Sequence, residues 1–190
     1  GKILRLNADG TPAAGNPFRG NPGALQGLWT LGHRNIQGLA YDPMRRRVWA
    51  TEHGARGGDE LNLIEPGGNY GWPLVTYSRE YSGPEITTSR TAPDMIDPRL
   101  VWTPAIAPSG LAAPSGRVPQ WRDQLFAGGL VSGDVRRLRL DPDGRRFPET
   151  GADLNLRFSG AVHPAHDRRG AQCAGGRSGA VFRPDQRHHR

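Results

Sequence analysis

Short apolar runs alternate with turn residues along most of the chain, and little helical periodicity lies between them. Each run holds four to six residues, is rich in Leu or β-forming side chains, and is bounded by Gly, Pro, Asp or Asn. The predicted strands are Lys2 to Leu6, Gly38 to Tyr41, Val48 to Thr51, Glu60 to Ile64, Gln124 to Gly128 and Val135 to Leu140. The pattern therefore predicts an all-β protein.

One of these patterns recurs along the chain. The segment Ile3 to Gly10 alternates apolar and polar residues and ends in an Asp-Gly turn, and Arg137 to Gly144 has the same arrangement. Glu60 to Gly67 and Ala180 to Asp185 are weaker copies. Equivalent positions lie 57, 77 and 44 residues apart. The shortest spacing is close to the roughly 40 to 50 residues of one β-propeller blade, and residues 74–104 are the natural insertion in a longer one.

About three blades are therefore expected, whereas propellers close with roughly 4 to 8. Closure matters because an open sheet edge can pair with another chain and aggregate. We therefore expect a partial β-propeller that is a piece of a longer protein or that associates to cover its ends. An ordinary β-sandwich with accidental repeats is the alternative that the pattern leaves open.

The composition narrows the class of protein. The 190 residues include 27 Gly and 17 Pro, which suits many turns and argues against a helical bundle. No run approaches the roughly 18 apolar residues of a membrane helix, and the first residues lack the order of a signal peptide. We therefore expect no membrane span and no export signal within this sequence. The single Cys173 excludes an internal disulfide.

The net charge of +7 raises the question of nucleic-acid binding, which needs clustered cations. Residues 159–190 hold six Arg and two Asp, so more than half of the excess lies in this tail. The run Arg45 to Arg47 lies between a turn and a strand, where a solvated loop is the favoured interpretation. We therefore predict no nucleic-acid partner.

The tail differs from the rest of the chain. Residues 159–190 lack Leu, Ile, Met, Trp and Tyr, so they offer little apolar surface for burial. Disorder and out-of-frame translation of a GC-rich gene are both open interpretations. The partial propeller is accordingly predicted for residues 1–158, and no function is assigned to the tail.

Two polar loops are candidates for binding chemistry, because loops held by rigid strands commonly carry it. In the first, Gly32 to Leu39, Arg34 offers a planar fork that suits a carboxylate. In the second, Glu52 to Ile64, glycines let backbone carbonyls turn toward a hard cation, and Asp59 could bind a sugar hydroxyl or assist proton transfer. Ion pairing of the loop carboxylates with Arg34 or Arg56 is the simpler alternative.

Three ordered motifs give these loops a family resemblance. They are GHRNIQGLAYDP from Gly32, TEHGARGGDELNLIEPGGNYGWP from Thr51 and WTPAIAPSGL from Trp102. Together they resemble the C-terminal part of the soluble PQQ-dependent aldose sugar dehydrogenases, the glucose/sorbosone dehydrogenase family, over Gly1 to about Phe158. The resemblance implies a six-bladed propeller that binds pyrroloquinoline quinone (PQQ) and Ca²⁺ and oxidises the anomeric carbon of an aldose to a lactone. It also implies a periplasmic or secreted location.

The resemblance assigns four residues to the cofactor. Arg34 and Asn35 match the family's quinone-contacting pair, and Trp102 matches an aromatic residue that covers the cofactor. Arg157 falls where the family has a cofactor-binding pair of Arg residues.

The resemblance also implies a metal and a substrate contact. The carbonyls of Gly54 and Ala55 match the pair that ligates the calcium ion. The family usually has Pro in place of Ala55, a change that a backbone ligand tolerates. Asp59 matches a carboxylate near the sugar.

Departures from the family pattern bear on activity. Val131 stands where some members have a Lys that contacts the quinone, and Ser159 stands where the second Arg would be. The family's catalytic His lies upstream of the first residue of this chain, so no catalytic residue is assigned and neither His33 nor His53 is taken as the base.

These observations leave three hypotheses. The leading one is part of a PQQ-dependent sugar dehydrogenase whose electron acceptor is unknown and which is inactive as this chain alone. The departures at Val131 and Ser159 prompt the second, a non-catalytic propeller module that binds a partner or an anionic glycan. The third is a defective gene product that does not fold.

Overall fold

The computed structural model describes residues 1–114 and 116–144 in full, together with the backbone of 154–157. The strands are β1 (Lys2–Leu4), β2 (Leu28–Leu31), β3 (Ile36–Asp42), β4 (Arg47–Glu52), β5 (Asp59–Ile64), β6 (Leu100–Trp102), β7 (Pro108–Ala112), β8 (Gln124–Gly129), β9 (Asp134–Arg139) and β10 (Leu154–Arg157). A single 3₁₀ turn, Pro119–Trp121, interrupts the strands of the described part. The all-β prediction is confirmed.

The strands form two antiparallel meanders and one pair. One four-stranded sheet has the order β3-β4-β5-β6, the other the order β7-β8-β9-β10, and β1 pairs with β2. The first strands of the two meanders lie side by side, since a Cβ at Gly38 would fall 2.8 Å from the Leu111 Cβ. Successive meanders with adjacent first strands are the arrangement of propeller blades. The described residues thus hold two full blades and a two-stranded sheet where about three blades were expected, and the six-bladed ring stays a prediction.

The hydrophobic core lies on both faces of the first meander, because strand side chains alternate between faces. On one face Trp49 and Leu61 pack against Leu125 and Leu138 of the second meander. On the other face Ala50 packs with Ile64 and Tyr70, against residues that include Trp29 of β2. Each four-stranded sheet therefore depends on a neighbouring sheet for burial.

The repeated turn of the sequence has one backbone conformation. The closing glycines Gly10, Gly67 and Gly144 all have positive φ, at 83°, 78° and 60°, a region that Gly enters without steric cost. Two of these turns follow β5 and β9, the third strand of each meander. In both four-stranded sheets the sequence repeat therefore marks the third strand and the turn that follows it.

The structure does not describe the tail of the chain. The tail, residues 159–190, with the weak repeat copy at Ala180 to Asp185, lies outside the described residues. Within the described part, no helix is long and apolar enough to cross a membrane.

Candidate functional site

Strand direction brings the candidate loops to one edge of the sheets. In the first meander, Ile36 pairs with Glu52 and Glu52 pairs with Glu60, so the β2–β3 and β4–β5 loops lie at the same end. The β6–β7 loop ends there too. The turn after β8 joins it, because the Leu130 amide donates to the Ala107 carbonyl at 2.9 Å. We call this end, with these four loops, the site edge.

Arg34 is half-buried and held at several points. Its backbone N–H donates to Glu52 Oε2 at 2.8 Å. Its Nη1 donates to the His53 carbonyl at 3.1 Å, and its Nη2 to the Tyr81 hydroxyl at 3.1 Å. Its Cζ also lies 5.4 Å from the ring centroid of Trp72, within the range of a cation–π contact. The predicted cofactor-binding arginine is therefore oriented by protein contacts.

Asn35, the other member of the predicted pair, is exposed beside Arg34. Its side-chain oxygen accepts from Gln37 Nε2 at 2.9 Å, and its carbonyl accepts from the His53 amide. The first loop is thereby joined to the second through backbone atoms.

A buried network lies beneath Arg34. His33, which has no exposed surface, contacts Thr30 Oγ1 through Nε2 at 2.8 Å and Glu52 Oε1 through Nδ1 at 2.9 Å. Asn62 Nδ2 donates to the same Glu52 oxygen at 2.7 Å. His33 also stacks on Tyr70, with centroids 4.4 Å apart. The Glu52 carboxylate, at the end of β4, therefore holds the β2–β3 loop through His33 and the Arg34 backbone, and β5 through Asn62.

His53 has a different task. Its Nε2 lies 2.7 Å from the Pro108 carbonyl, which can only accept, so this nitrogen donates. Pro108 begins β7, and the contact links the two meanders. Both ring nitrogens of His33 are engaged in the buried network, whereas His53 is held through Nε2 alone.

The turn at Gly54 and Ala55 presents two unpaired carbonyls. The Gly54 amide donates to Asp59 Oδ1, and the Ala55 amide donates to Ser78 Oγ, each at 3.0 Å. Among the hydrogen bonds of the described residues, none reaches either carbonyl oxygen. A Cβ at position 54 would lie 1.8 Å from the Gly57 carbonyl oxygen, so only Gly fits. The turn is therefore built tightly around its amides and leaves its oxygens for another partner.

Asp59 ties this turn to the next blade. Its Oδ1 accepts the Gly54 amide, and its Oδ2 accepts the amides of Ile106 at 2.9 Å and Ala107 at 2.7 Å. The residue is 2% exposed. The carboxylate is thus a tether between loops, and its contact with a sugar stays a prediction.

A narrow cavity of about 10 Å³ opens between the β2–β3 loop, the β4–β5 loop and the segment that follows β5. It is lined by Gly32, Arg34, Glu52, His53, Gly54, Gly58, Glu60, Tyr70, Trp72, Val75 and Thr76. Burial, with the negative charge of nearby Glu52, raises the pKa of Glu60 to about 8. Glu60 therefore carries a proton at neutral pH when no cation is bound nearby.

Glu60 is expected to make stability depend on pH. From about pH 4.5 to about 8 the folded chain holds a proton that the unfolded chain releases, so the free energy of unfolding falls as pH rises through this window. Glu60→Gln should flatten the slope and stabilise the protein at pH 9 by roughly 1 to 3 kcal/mol. Urea unfolding at pH 5, 7 and 9 in the presence of a chelator measures the free energy of unfolding of both proteins. Glu65→Gln, at a more exposed carboxylate, is the control, and equal slopes in wild type and Glu60→Gln would contradict the assignment.

The structure describes the two remaining predicted cofactor residues, Trp102 and Arg157, in different detail. Trp102 is 5% exposed and packs in the core with Trp49 and Ile106. The ring thus lies in the core between the two meanders, and its contact with the cofactor stays a prediction. Val131, at the position of the family's Lys, is exposed. For Arg157 the structure gives the backbone only, which pairs with Asp134 at the site edge.

Sequence reasoning did not single out Trp72, Tyr81, Glu52 or Glu60 for the site. Trp72 stands in the quoted YGWP string, and Glu52 and Glu60 flank the glycine turn. The proximity of the Glu52 and Glu60 carboxylates becomes visible only in the β4–β5 register, which pairs these two residues. Tyr81 carries no sequence signal, because it reaches Arg34 from an insertion 47 residues away.

Comparison with known proteins gives a consistent picture. The family model described as Glucose / Sorbosone dehydrogenase matches residues 1–157. An uncharacterized protein of Synechocystis is 55% identical over 159 residues, covering 83% of this chain and 39% of the relative. The aldose sugar dehydrogenase YliI of Escherichia coli is 38% identical over 160 residues, covering 83% and 43%. The PQQ-bound aldose sugar dehydrogenase of Streptomyces coelicolor superposes with a TM-score of 0.60 at 34% identity, over 82% of this chain and 39% of that structure. The chain thus spans about two fifths of these relatives.

Proposed function

Because the chain belongs to the glucose/sorbosone dehydrogenase family, we propose that the protein oxidises an aldose at its anomeric carbon to the lactone, with PQQ and Ca²⁺ as cofactors. The observation that carries the proposal is the pair of unpaired carbonyls at Gly54 and Ala55 beside the oriented guanidinium of Arg34. The carbonyl pair suits a hard cation, and the guanidinium suits an anionic cofactor.

The donor set fits calcium. Ca²⁺ takes oxygen ligands and accepts backbone carbonyls. The Gly54 carbonyl shares its peptide unit with the Ala55 amide, which donates to Ser78 Oγ. The Ala55 carbonyl shares its unit with the Arg56 amide, which donates to the Arg79 carbonyl, so both orientations are fixed before a metal arrives. No group of three or more metal-ligating side chains occurs among the described residues. Binding through this turn would therefore use main-chain oxygens, with further ligands from the cofactor and water.

The cationic side fits a cofactor that carries carboxylates. Arg34 offers a planar fork, and Asn35 next to it offers a donor and an acceptor. When bound, the quinone supplies an acceptor for the two electrons that leave the sugar. The described residues hold and orient: Arg34 faces the anion, Asp59 and Ser78 set the turn, and Glu52 fixes the Arg34 backbone. No described residue is assigned as the base that takes the sugar hydroxyl proton.

The relatives support the substrate class. The Escherichia coli and Streptomyces coelicolor proteins are named aldose sugar dehydrogenases, and the second is a PQQ-bound structure. We extend the aldose and PQQ assignments to this protein as part of the proposal, and with them a periplasmic or secreted location.

The proposal predicts Ca²⁺-dependent PQQ binding. Calorimetric titration of the protein with PQQ should show tight binding in Ca²⁺ and a loss of at least tenfold in affinity with chelator, because the carbonyl turn then lacks its cation. Dye reduction with a panel of aldoses reports the reaction. Salt-sensitive binding of a polyanionic glycan without any PQQ binding would favour the non-catalytic module instead.

A further inference from the structure

Tyr81 is an exposed aromatic residue with an unusual placement. It is 71% exposed, and its hydroxyl accepts a hydrogen bond from Arg34 Nη2 at 3.1 Å. Its ring centroid also lies 5.9 Å from the Arg34 Cζ, while the Trp72 centroid lies 5.4 Å away. The guanidinium therefore lies against two aromatic rings, and one of them reaches it from the insertion.

Backbone contacts fix the segment that carries Tyr81. The amide of Glu80 donates to the Pro84 carbonyl at 2.8 Å, which closes a tight turn around Tyr81. Arg56 and Arg79 exchange backbone hydrogen bonds, with N to O distances of 3.1 and 3.4 Å. Arg56 follows the Gly54–Ala55 turn directly. The insertion is thus joined to the carbonyl turn, and the Tyr81 position is set by main-chain contacts.

The two side chains have donors to spare. A guanidinium has five N–H groups, and Arg34 gives two of them to protein acceptors in the described part of the chain. The Tyr81 oxygen accepts from Arg34, so its own O–H proton remains available to an acceptor other than Arg34. Adjacent N–H and O–H donors match the two oxygens of a carboxylate, and hydrogen bonds to a charged acceptor are stronger than neutral ones.

We propose that Tyr81 and Arg34 form a carboxylate-binding pair, in which Tyr81 positions the guanidinium and donates its hydroxyl proton to the same bound anion. The inference rests on the proposed function and deepens it, because it assigns to a residue of the insertion a contact with a carboxylate of PQQ. Tyr81 thereby couples the insertion to cofactor binding.

The test is PQQ affinity by calorimetry in saturating Ca²⁺. Tyr81→Phe keeps the ring and removes the hydroxyl, and we expect a dissociation constant about tenfold higher. Tyr81→Ala removes the ring as well and should weaken binding further. In the Arg34→Ala background, Tyr81→Phe should have a smaller effect, because the guanidinium it positions is gone.

Tyr77→Phe is the matched control. Tyr77 lies in the same segment, but its ring centroid is 5.9 Å from the Cζ of Arg90 and not near Arg34. The PQQ affinity of the Tyr77→Phe protein should stay within about twofold of wild type. If the wild-type protein binds PQQ and both Tyr81 variants bind it with the same affinity, the inference is overturned and the proposed function stands. A wild type that binds no PQQ overturns both.

Discussion

Asp59→Ala is expected to destabilise the protein by about 3 to 5 kcal/mol and to weaken Ca²⁺-dependent PQQ binding by at least tenfold. The carboxylate accepts three backbone amides, those of Gly54, Ile106 and Ala107, while it is almost fully buried. Each amide left without a partner costs roughly 1 to 3 kcal/mol. The His53–Gly54 peptide also loses the bond that sets its orientation. This loosens both the His53 carbonyl that accepts from Arg34 and the turn that presents the next two carbonyls. Urea unfolding and PQQ calorimetry measure the two effects.

Two further variants keep this prediction decisive. Asp59→Asn retains one acceptor oxygen and turns an NH₂ group toward the amides, so it should fall between wild type and Asp59→Ala. Asp123→Ala removes a largely exposed carboxylate that pairs with Arg45, and it should cost at most about 1 kcal/mol. If the Asp59→Ala protein were no less stable than the Asp123→Ala protein, the hydrogen bonds of Asp59 would not contribute to the free energy of unfolding.

Glu52→Ala is expected to be as damaging, with a loss of about 3 to 5 kcal/mol, because it breaks a buried polar network by removing its centre. His33 Nδ1, the Arg34 amide and Asn62 Nδ2 all bond this carboxylate. The Arg34 backbone is freed as well, so PQQ affinity should fall together with stability. Thermal unfolding followed by circular dichroism gives the stability change.

The conservative variant separates charge from hydrogen bonding at this position. Glu52→Gln keeps one acceptor oxygen, and a change of tautomer would let His33 accept from its NH₂ group, so about half of the loss should be recovered. Glu65→Ala, at a partly exposed carboxylate 3.5 Å from Arg99, is the control and should lie within about 1 kcal/mol of wild type. A Glu52→Ala protein as stable as this control would contradict the role given to the network.

The strands that form apolar runs between clear turn signals were the ones that could be predicted. β4 and β5 carry apolar residues on both faces, and their predicted starts, Val48 and Glu60, lie one residue after the observed ones. β7, Pro108–Ala112, was missed because its Pro and Gly read as a turn. β6 was missed because its three residues are too few for any period. In both cases, pairing with a longer neighbour supplies the order that local sequence does not.

The candidate site was predictable at the level of its loops and not of its side-chain orientations. The ordered motifs selected Arg34 and the Gly54–Ala55 turn, and the structure brings these to one edge. A motif does not say which way a side chain faces. The motif that contains Trp102 does not show that pairing of β6 with β5 places its ring in the core, as the structure does. Tyr81 was not expected at all, since a contact across 47 residues leaves no local pattern.

The cross-links between the two meanders bear on how this family could be recombined. Asp59 and His53 belong to the first meander, yet their partners Ile106, Ala107 and Pro108 lie in the linker and first strand of the second. A chimera in which the first meander is exchanged up to its last strand would take Asp59 and His53 from one parent and their partners at 106–108 from the other. The smallest exchangeable module is therefore a blade with its following linker, so crossover points within 103–108 should be tolerated only between parents that match at both ends of these bonds.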